Sequence, residues 1–178
     1  DLRTGRFVLP AAASQFDLSD NNFKIRGKLA MGAPAGGEVW PVGSSQIISW
    51  SKNGSLGNVD LFYSTNGGSS YPNTIATAQT GTTYTWNPIP DVINNTVRVR
   101  VQSVTYPADT YGDSPANFSI KASLTVIYPN GGEVLNAGSG ITILWNKTGT
   151  IGDVKLEYST DSGATYPNTI IAATPGST

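Results

Sequence analysis

The sequence predicts an all-β protein made of tandem immunoglobulin-like β-sandwich domains, and three observations support this prediction. The chain repeats itself at an offset of 95 residues, which is about the size of one such sandwich. Its apolar segments alternate with period two, as strands that bury one face do. Asn-Gly and Asp-Ser-Gly turns follow these segments, and no stretch of ten or more residues shows capped helical periodicity.

The repeat is clearest in two pairs of segments. APAGGEVWPVGSSQIISW, which begins at Ala33, returns as YPNGGEVLNAGSGITILW at Tyr128. VDLFYSTNGGSSYPNTI, from Val59, returns without a gap as VKLEYSTDSGATYPNTI at Val154. About half of the aligned positions are identical. A period of this length is too long for a solenoid unit of roughly 20–50 residues and fits a whole domain.

The same offset aligns NNFKIRGKL in the first part of the chain with ANFSIKASL later on. This alignment divides the chain into three parts. We expect the C-terminal strands of a preceding repeat in residues 1–31, a complete sandwich in residues 32–127 and the N-terminal strands of a following repeat in residues 128–178.

Within each repeat the predicted inward residues persist while the outward residues change. Val59, Leu61 and Tyr63 recur as Val, Leu and Tyr, whereas the residues between them differ. Such a pattern is typical of a core between two sheets. The predicted core residues are Trp50, Trp145, Tyr63, Tyr158 and Trp86.

Composition excludes several classes of function. With Lys+Arg 11 against Asp+Glu 12 the net charge is −1, which argues against nucleic acid as a partner. The absence of His and Cys removes disulfides, the usual zinc sites and catalysis by Cys or a His base. Without an apolar run of about 18 residues, no membrane span is expected. Of the three Glu residues, Glu38 and Glu133 are one repeated turn residue, so we expect no enzyme.

The passage from one repeat to the next carries no linker. Residues 118–127, FSIKASLTVI, lead from the last strand of one domain directly into the first strand of the next. Flexible linkers are rich in Gly, Ser or Pro, and this segment is not. The sequence therefore predicts stiffly coupled domains that form a rod.

These motifs resemble a known family. PAGGEVWPVGSSQIISW, then VDLFYSTNGGSSY, then RVRV and SPANFSI occur in order, and most of them occur twice. Together they are similar to an Ig-like domain of the Ser-Thr-rich glycosylphosphatidylinositol-anchored membrane protein family of fungi, with tandem relatives on bacterial and archaeal surface proteins. The resemblance covers essentially the whole chain and implies an extracellular sandwich with structural, cell-wall or adhesive roles and no catalytic residues. Departures are Leu135 in place of Trp40, and the diverged segment from Arg6 to Leu18.

Three sets of residues could form sites. Calcium candidates precede the last strand of a repeat, where junction sites can stiffen tandem domains, although their carboxylates do not recur at matched positions: Asp17, Asp20, Asp109 and Asp113. The alternative is a solvated turn, and no other cofactor is expected. Glycosylation sequons occur at Asn53, Asn94, Asn146 and Asn117, of which the first three are predicted in loops and the last opens a strand. A sugar-stacking platform would draw on Trp40, Phe62, Tyr71, Tyr84, Trp86 and Tyr111, most of which are also expected in the core or at an interface.

The preferred function is structural. The chain is expected to be a segment or subunit of an extracellular fibre, stalk or surface layer, whose partners are copies of itself or neighbouring repeats, head to tail. The alternative is a carbohydrate-binding or adhesive module of a secreted protein, with cell-wall polysaccharide as partner. Two origins stay open for the incomplete end repeats: a piece of a longer repeat protein, or separate subunits that complete one another by strand addition.

Overall fold

The computed structural model describes residues 2–3, 6–8 and 16–176, with side chains from residue 19 onward. Nine strands lie within residues 28–121: β5 (Lys28–Ala33), β6 (Val39–Pro41), β7 (Gln46–Asn53), β8 (Val59–Ser64), β9 (Asn73–Gln79), β10 (Thr83–Trp86), β11 (Asn94–Ser103), β12 (Tyr111–Asp113) and β13 (Phe118–Lys121). Four short strands precede them: β1 (Leu2–Arg3), β2 (Arg6–Val8), β3 (Phe16–Leu18) and β4 (Phe23–Lys24). Four follow: β14 (Ser123–Tyr128), β15 (Leu144–Thr148), β16 (Val154–Tyr158) and β17 (Asn168–Thr174).

The strands β5 to β13 form an immunoglobulin-like β-sandwich, which confirms the predicted fold class. One sheet has the order β10-β7-β5, and the other has the order β6-β13-β11-β8-β9, with β12 also paired to β11. All pairs are antiparallel except β6 with β13, which is parallel. We call this unit the central sandwich.

The core of the central sandwich lies between the two sheets. On β11, Val97, Val99 and Val101 are fully buried, while the Arg residues between them lie on the outer face. The ring of Trp40 lies 4.4 Å from that of Phe118 and 6.2 Å from that of Trp86, measured between centroids. Two of the predicted core residues, Trp50 and Trp86, are buried here, and Tyr63 is half-buried against the cluster.

The central sandwich begins earlier than predicted. β5 starts at Lys28 and pairs with β7, so the predicted boundary between residues 31 and 32 cuts through a strand. In the same way β14 starts at Ser123, ahead of the predicted boundary between residues 127 and 128. The single residue Ala122 separates β13 from β14, and residues 25–27, which end at Gly27, separate β4 from β5.

The N-terminal part forms two small strand pairs that reproduce the later strands of a repeat. β1 pairs with β4 as β11 pairs with β13, and β2 pairs with β3 as β11 pairs with β12. The register differs by one residue from the gap-free alignment: Arg3 lies opposite Phe23, at the place that the alignment gives to Leu2. The sequence has diverged too far in this segment for the repeat to determine the register.

The C-terminal part forms the first half of a further repeat. β14 pairs with β15 as β5 pairs with β7, and β16 pairs with β17 as β8 pairs with β9. Among the described residues, no strand takes the places that β10, β11 and β13 hold in the central sandwich. We call residues 123–176 the open half-sandwich. Among the described residues Trp145 is half-buried and Tyr158 is 50% exposed, and their place in a closed core stays a prediction.

One turn has the same hydrogen bonds in both repeats. The Ser64 hydroxyl donates to Asn66 Oδ1 at 2.7 Å and accepts from Gly68 N at 2.9 Å. At the equivalent place the Ser159 hydroxyl donates to Asp161 Oδ1 at 2.5 Å and accepts from Gly163 N at 2.8 Å. The recurring Ser-Thr-Asn/Asp sequence thus forms the same local hydrogen-bond network whether or not the repeat has a closed core.

We predict a large loss of stability at one of two adjacent isoleucines on β7 and almost none at the other. Ile48 is fully buried and Ile47 is 61% exposed, because neighbours on a strand face opposite sides of the sheet. Ile48→Ala should lower the free energy of unfolding of the central sandwich by about 2–5 kcal/mol through cavity formation. Ile47→Ala should change it by less than about 1 kcal/mol. Denaturant unfolding measures both, and equal losses would mean that the strand register is off by one residue.

We predict that the repeated turn titrates in only one of its copies. Hydrogen bonds from the Ser159 and Thr165 side chains and from the Thr165 amide lower the pKa of Asp161 to about 2, while Asn66 does not titrate. A depressed pKa means that the carboxylate stabilises the turn above the unfolded value of 3.8, and that this contribution is lost as the pH falls through about 2.

An NMR titration tests this prediction. The amide of Thr165, which donates to Asp161 Oδ1 at 2.9 Å, should shift with a midpoint near pH 2. The amide of Ser70, which donates to Asn66 Oδ1 at 3.1 Å, is the internal control and should show no such step. A midpoint at the ordinary aspartate value would contradict the network.

Candidate functional site

The open half-sandwich exposes residues whose equivalents are buried. Leu124 is 52% exposed, whereas its equivalent Leu29 is 3% exposed. Ile143 and Leu156 are half-exposed, whereas the equivalents Ile48 and Leu61 are fully buried. Since the residue types are the same, the difference comes from the covering strands, none of which lies over this face among the described residues. The face is therefore a candidate interaction surface, with a neighbouring repeat as its expected cover.

Two strand edges of the open half-sandwich are also unpaired. In the central sandwich β7 lies between β5 and β10, and β8 lies between β9 and β11. Their equivalents β15 and β16 have only the first partner of each pair among the described strands. Such edges present free backbone donors and acceptors, which can bind an added strand.

Two features hold the central sandwich against the open half-sandwich: hydrogen bonds to the carboxylate of Asp91 and a close approach of the backbone at Gly149. Asp91 accepts hydrogen bonds from the Thr150 amide at 2.8 Å and the Thr150 hydroxyl at 2.5 Å, and these bonds lower the pKa of Asp91. Gly149 has φ +88, and a Cβ added there would meet Val42 at 3.1 Å and Ala122 at 3.2 Å. The glycine therefore lets the two units come close.

The junction before the central sandwich has the same close approach. Gly54, the equivalent of Gly149, has φ +86, and a Cβ added there would lie 3.2 Å from the Cα of Gly27. Gly27 is the equivalent of Ala122. At both junctions, then, a left-handed glycine that follows β7 or its equivalent β15 lies against the residue immediately before the first strand of the repeat.

Charged side chains complete that first junction. The Arg26 guanidinium lies 4.3 Å from the centroid of the Tyr106 ring. Asp109 lies 3.4 Å from Lys24 Nζ and 3.5 Å from Arg26 Nε. Sequence analysis missed the glycines and Asp91 at the junctions, although the recurrence of Gly54 as Gly149 was a visible signal.

The calcium candidates are not brought together. Asp109 pairs with the cations of the junction, and Asp113 forms a two-bond ion pair with Arg100 at 2.6 and 2.8 Å. Asp20 is exposed, and the side chain of Asp17 lies outside the described residues. In the part of the chain that the structure describes, no group of three or more acidic residues could hold a metal ion.

The sequons lie on strands more than in loops. Asn146 is in the middle of β15 and is exposed, and Asn53 is the exposed last residue of β7. Asn94 opens β11 and donates through Nδ2 to the Thr65 carbonyl at 3.1 Å. Asn117 immediately precedes β13 and accepts from Arg98 Nε at 2.7 Å. The predicted loop positions of Asn53, Asn94 and Asn146 are thus wrong, because each of these strands is longer than its apolar pattern.

Some of the aromatic candidates lie in the core, and others lie next to the side chain of Arg100. Trp40 and Trp86 are buried, and Tyr84 packs against the core. Tyr71 and Tyr111 each stack on the Arg100 guanidinium, with 4.1 Å between its carbon and each ring centroid, and Phe62 lies opposite Arg100 in the register of β8 and β11. Burial, followed by the negative charge of Asp113, raises the pKa of Tyr71 to about 12. Arg100 therefore occupies one face of each tyrosine ring.

Comparison with known proteins adds one similarity of fold. No family model and no curated protein matches the chain. Fibronectin(III)-like modules of Clostridium thermocellum CbhA are similar to it, with a TM-score of 0.33 and 13% sequence identity, over 83% of this chain and 75% of that chain. The resemblance to the Ser-Thr-rich family stays a prediction. The described residues include no helix that is long and apolar enough to cross a membrane.

Proposed function

We propose that this chain is a structural segment of an extracellular fibre, stalk or surface layer, in which Ig-like sandwiches follow one another at a fixed angle. The observation that carries the proposal is the recurrence of one junction geometry at both ends of the central sandwich. A left-handed glycine lies against the linking residue each time, at Gly54 with Gly27 and at Gly149 with Ala122.

The junction contacts support a stiff connection. Ala122 alone separates β13 from β14, which leaves little freedom of rotation, and the contacts of Asp91 with Thr150 restrict it further. Strands of about ten residues rising ~3.3 Å each give roughly 35 Å per repeat, so consecutive repeats would form a rod with that increment. This function needs no catalytic group.

The rival function, binding of cell-wall polysaccharide, has less support. Sugar-stacking sites present free aromatic faces, but Arg100 covers one face of Tyr71 and of Tyr111. The third repeat has Glu157 in place of Phe62, so the aromatic set does not recur. The recurring features of this chain are its inner face and its junctions, which favour the structural role.

Spin-label distances between consecutive repeats test the stiffness. Because the chain has no Cys, labels can be placed at Thr74 on β9 and at the equivalent Thr169 on β17, both exposed. Pulsed electron spin resonance on labelled chains diluted in unlabelled protein should give one narrow distance distribution. A broad distribution in the unmodified junction would contradict the proposal.

A matched pair of glycine variants identifies the cause of the stiffness. Gly149 and Gly132 have nearly the same φ, +88 and +86, so alanine costs a similar backbone strain at each. Only at Gly149 does the added methyl group meet the other domain; at Gly132 it meets nothing within 4 Å. Gly149→Ala should shift or broaden the distance distribution, and Gly132→Ala should leave it unchanged.

A further inference from the structure

We propose that the central sandwich is a unit that resists tension along the line of the repeats, and that the strand pair β6 with β13 is its mechanical clamp. This inference rests on the proposed structural function and adds the load that a fibre or stalk of such domains would carry. Three features of the closed central sandwich support it: where the chain enters and leaves, how its terminal strands pair, and which side chains cover their hydrogen bonds.

The chain enters and leaves the central sandwich at opposite ends of β7. Lys28, the first residue of β5, lies opposite Asn53, the last residue of β7. At the other end the Val42 amide donates to the Lys121 carbonyl at 2.9 Å, and a short turn leads from Val42 into β7. The eight residues of β7 span about 23 Å between these ends, at ~3.3 Å per step. A pull on the neighbouring repeats therefore acts lengthwise on the strands.

Such a pull draws the two terminal segments in opposite directions. Through β5 it draws residues 28–41 towards the entry end, and through Lys121 it draws β13 towards the exit end. β6, which ends the first segment, runs parallel to β13, with Val39 opposite Ser119 and Trp40 opposite Ile120. The load slides these two strands past each other, so their hydrogen bonds break together and not one after another.

Backbone hydrogen bonds join the two segments along their contact. The Gly37 amide donates to the Asn117 carbonyl at 2.8 Å, and the Ser119 amide donates to the Glu38 carbonyl at 2.9 Å. The bond at the exit end, described above, closes the series. Bonds that break in one step raise the barrier to unfolding jointly, and forced unfolding depends on that barrier more than on the overall stability.

Buried side chains cover the inner side of the clamp. Trp40 on β6 is 6% exposed and Phe118 on β13 is 1% exposed. Their ring centroids are 4.4 Å apart, and Ile120, further along β13, is fully buried. Sliding of β6 along β13 would separate the two rings and admit water to the core, which the hydrophobic effect opposes. Side-chain packing thus adds to the resistance of the backbone bonds.

The loss of β5 alone does not open the sandwich. β5 pairs with β7 through a register shift between Met31 and Ala33, and its detachment frees only the residues before β6. The core opens when β6 leaves β13, because Trp40 leaves the core with it. The clamp is therefore the step that determines the unfolding force.

Pulling in two directions tests the clamp. Because the chain has no Cys, a cysteine added at each end of the full chain gives defined attachment points. Single-molecule force spectroscopy should show one main rupture that releases about 30 nm, as expected for residues 28–121. In the variant Asn58→Cys/Thr80→Cys the force separates β8 from β9 at the end where Val59 lies opposite Gln79, and opens their bonds one at a time.

Rupture along the axis should need at least about twice the force of this lateral opening at the same loading rate. Equal forces in the two directions would overturn the proposal. Equal forces together with a narrow spin-label distance overturn this inference and leave the stiff rod intact. A broad spin-label distance with a high axial force overturns the stiff rod and leaves the clamp.

Two proline variants locate the resistance. Ser119→Pro removes the amide that donates to Glu38 at 2.9 Å, within the clamp. Val104→Pro removes an amide that donates to Asn58 at 3.0 Å, outside the terminal strands. Denaturant unfolding shows first that each variant folds. Ser119→Pro should lower the axial force and Val104→Pro should leave it unchanged, whereas equal losses overturn the proposal; if Ser119→Pro does not fold, the two pulling directions decide.

Discussion

The architecture depends on the burial of β11 between its neighbours. Val97, Val99 and Val101 on this strand are fully buried, and β8, β12 and β13 all pair with it. Where the strand is present, the equivalent sequence forms a closed core. Where its equivalent is missing, in residues 123–176, the same residue types form two separate strand pairs with an exposed apolar face. Half a sandwich cannot bury its own inner face, so the described strands of residues 123–176 leave apolar side chains exposed to solvent.

The sequence predicted the fold class because the determinants of a sandwich are local and repeated. Alternation on β8 and β11 indicates the two faces, and the turn after Ser64 forms the same hydrogen bonds as the turn after Ser159. Local pattern does not determine whether a face is covered. Trp145 and Tyr158 have the pattern of core residues, and their full burial depends on covering strands that are not among the described residues.

The junctions show a different limit of sequence reasoning. The absence of a linker after β13 predicted stiff coupling, but it did not predict which groups would make contact. Asp91 and Thr150 are separated by 59 residues and share no motif, so only the folded chain brings them within 2.8 Å. For the aromatic residues, composition allowed a sugar-stacking platform. In the structure, two of these rings, Tyr71 and Tyr111, stack on Arg100 instead.

Rod stiffness follows from one property, the placement of repeat junctions directly between paired strands. Small-angle X-ray scattering of the purified chain measures this stiffness in solution. The account predicts the distance distribution of one elongated, rigid particle, with roughly 35–45 Å added per repeat along its axis. A broad distribution of distances, as from sandwiches on a flexible connection, would contradict it.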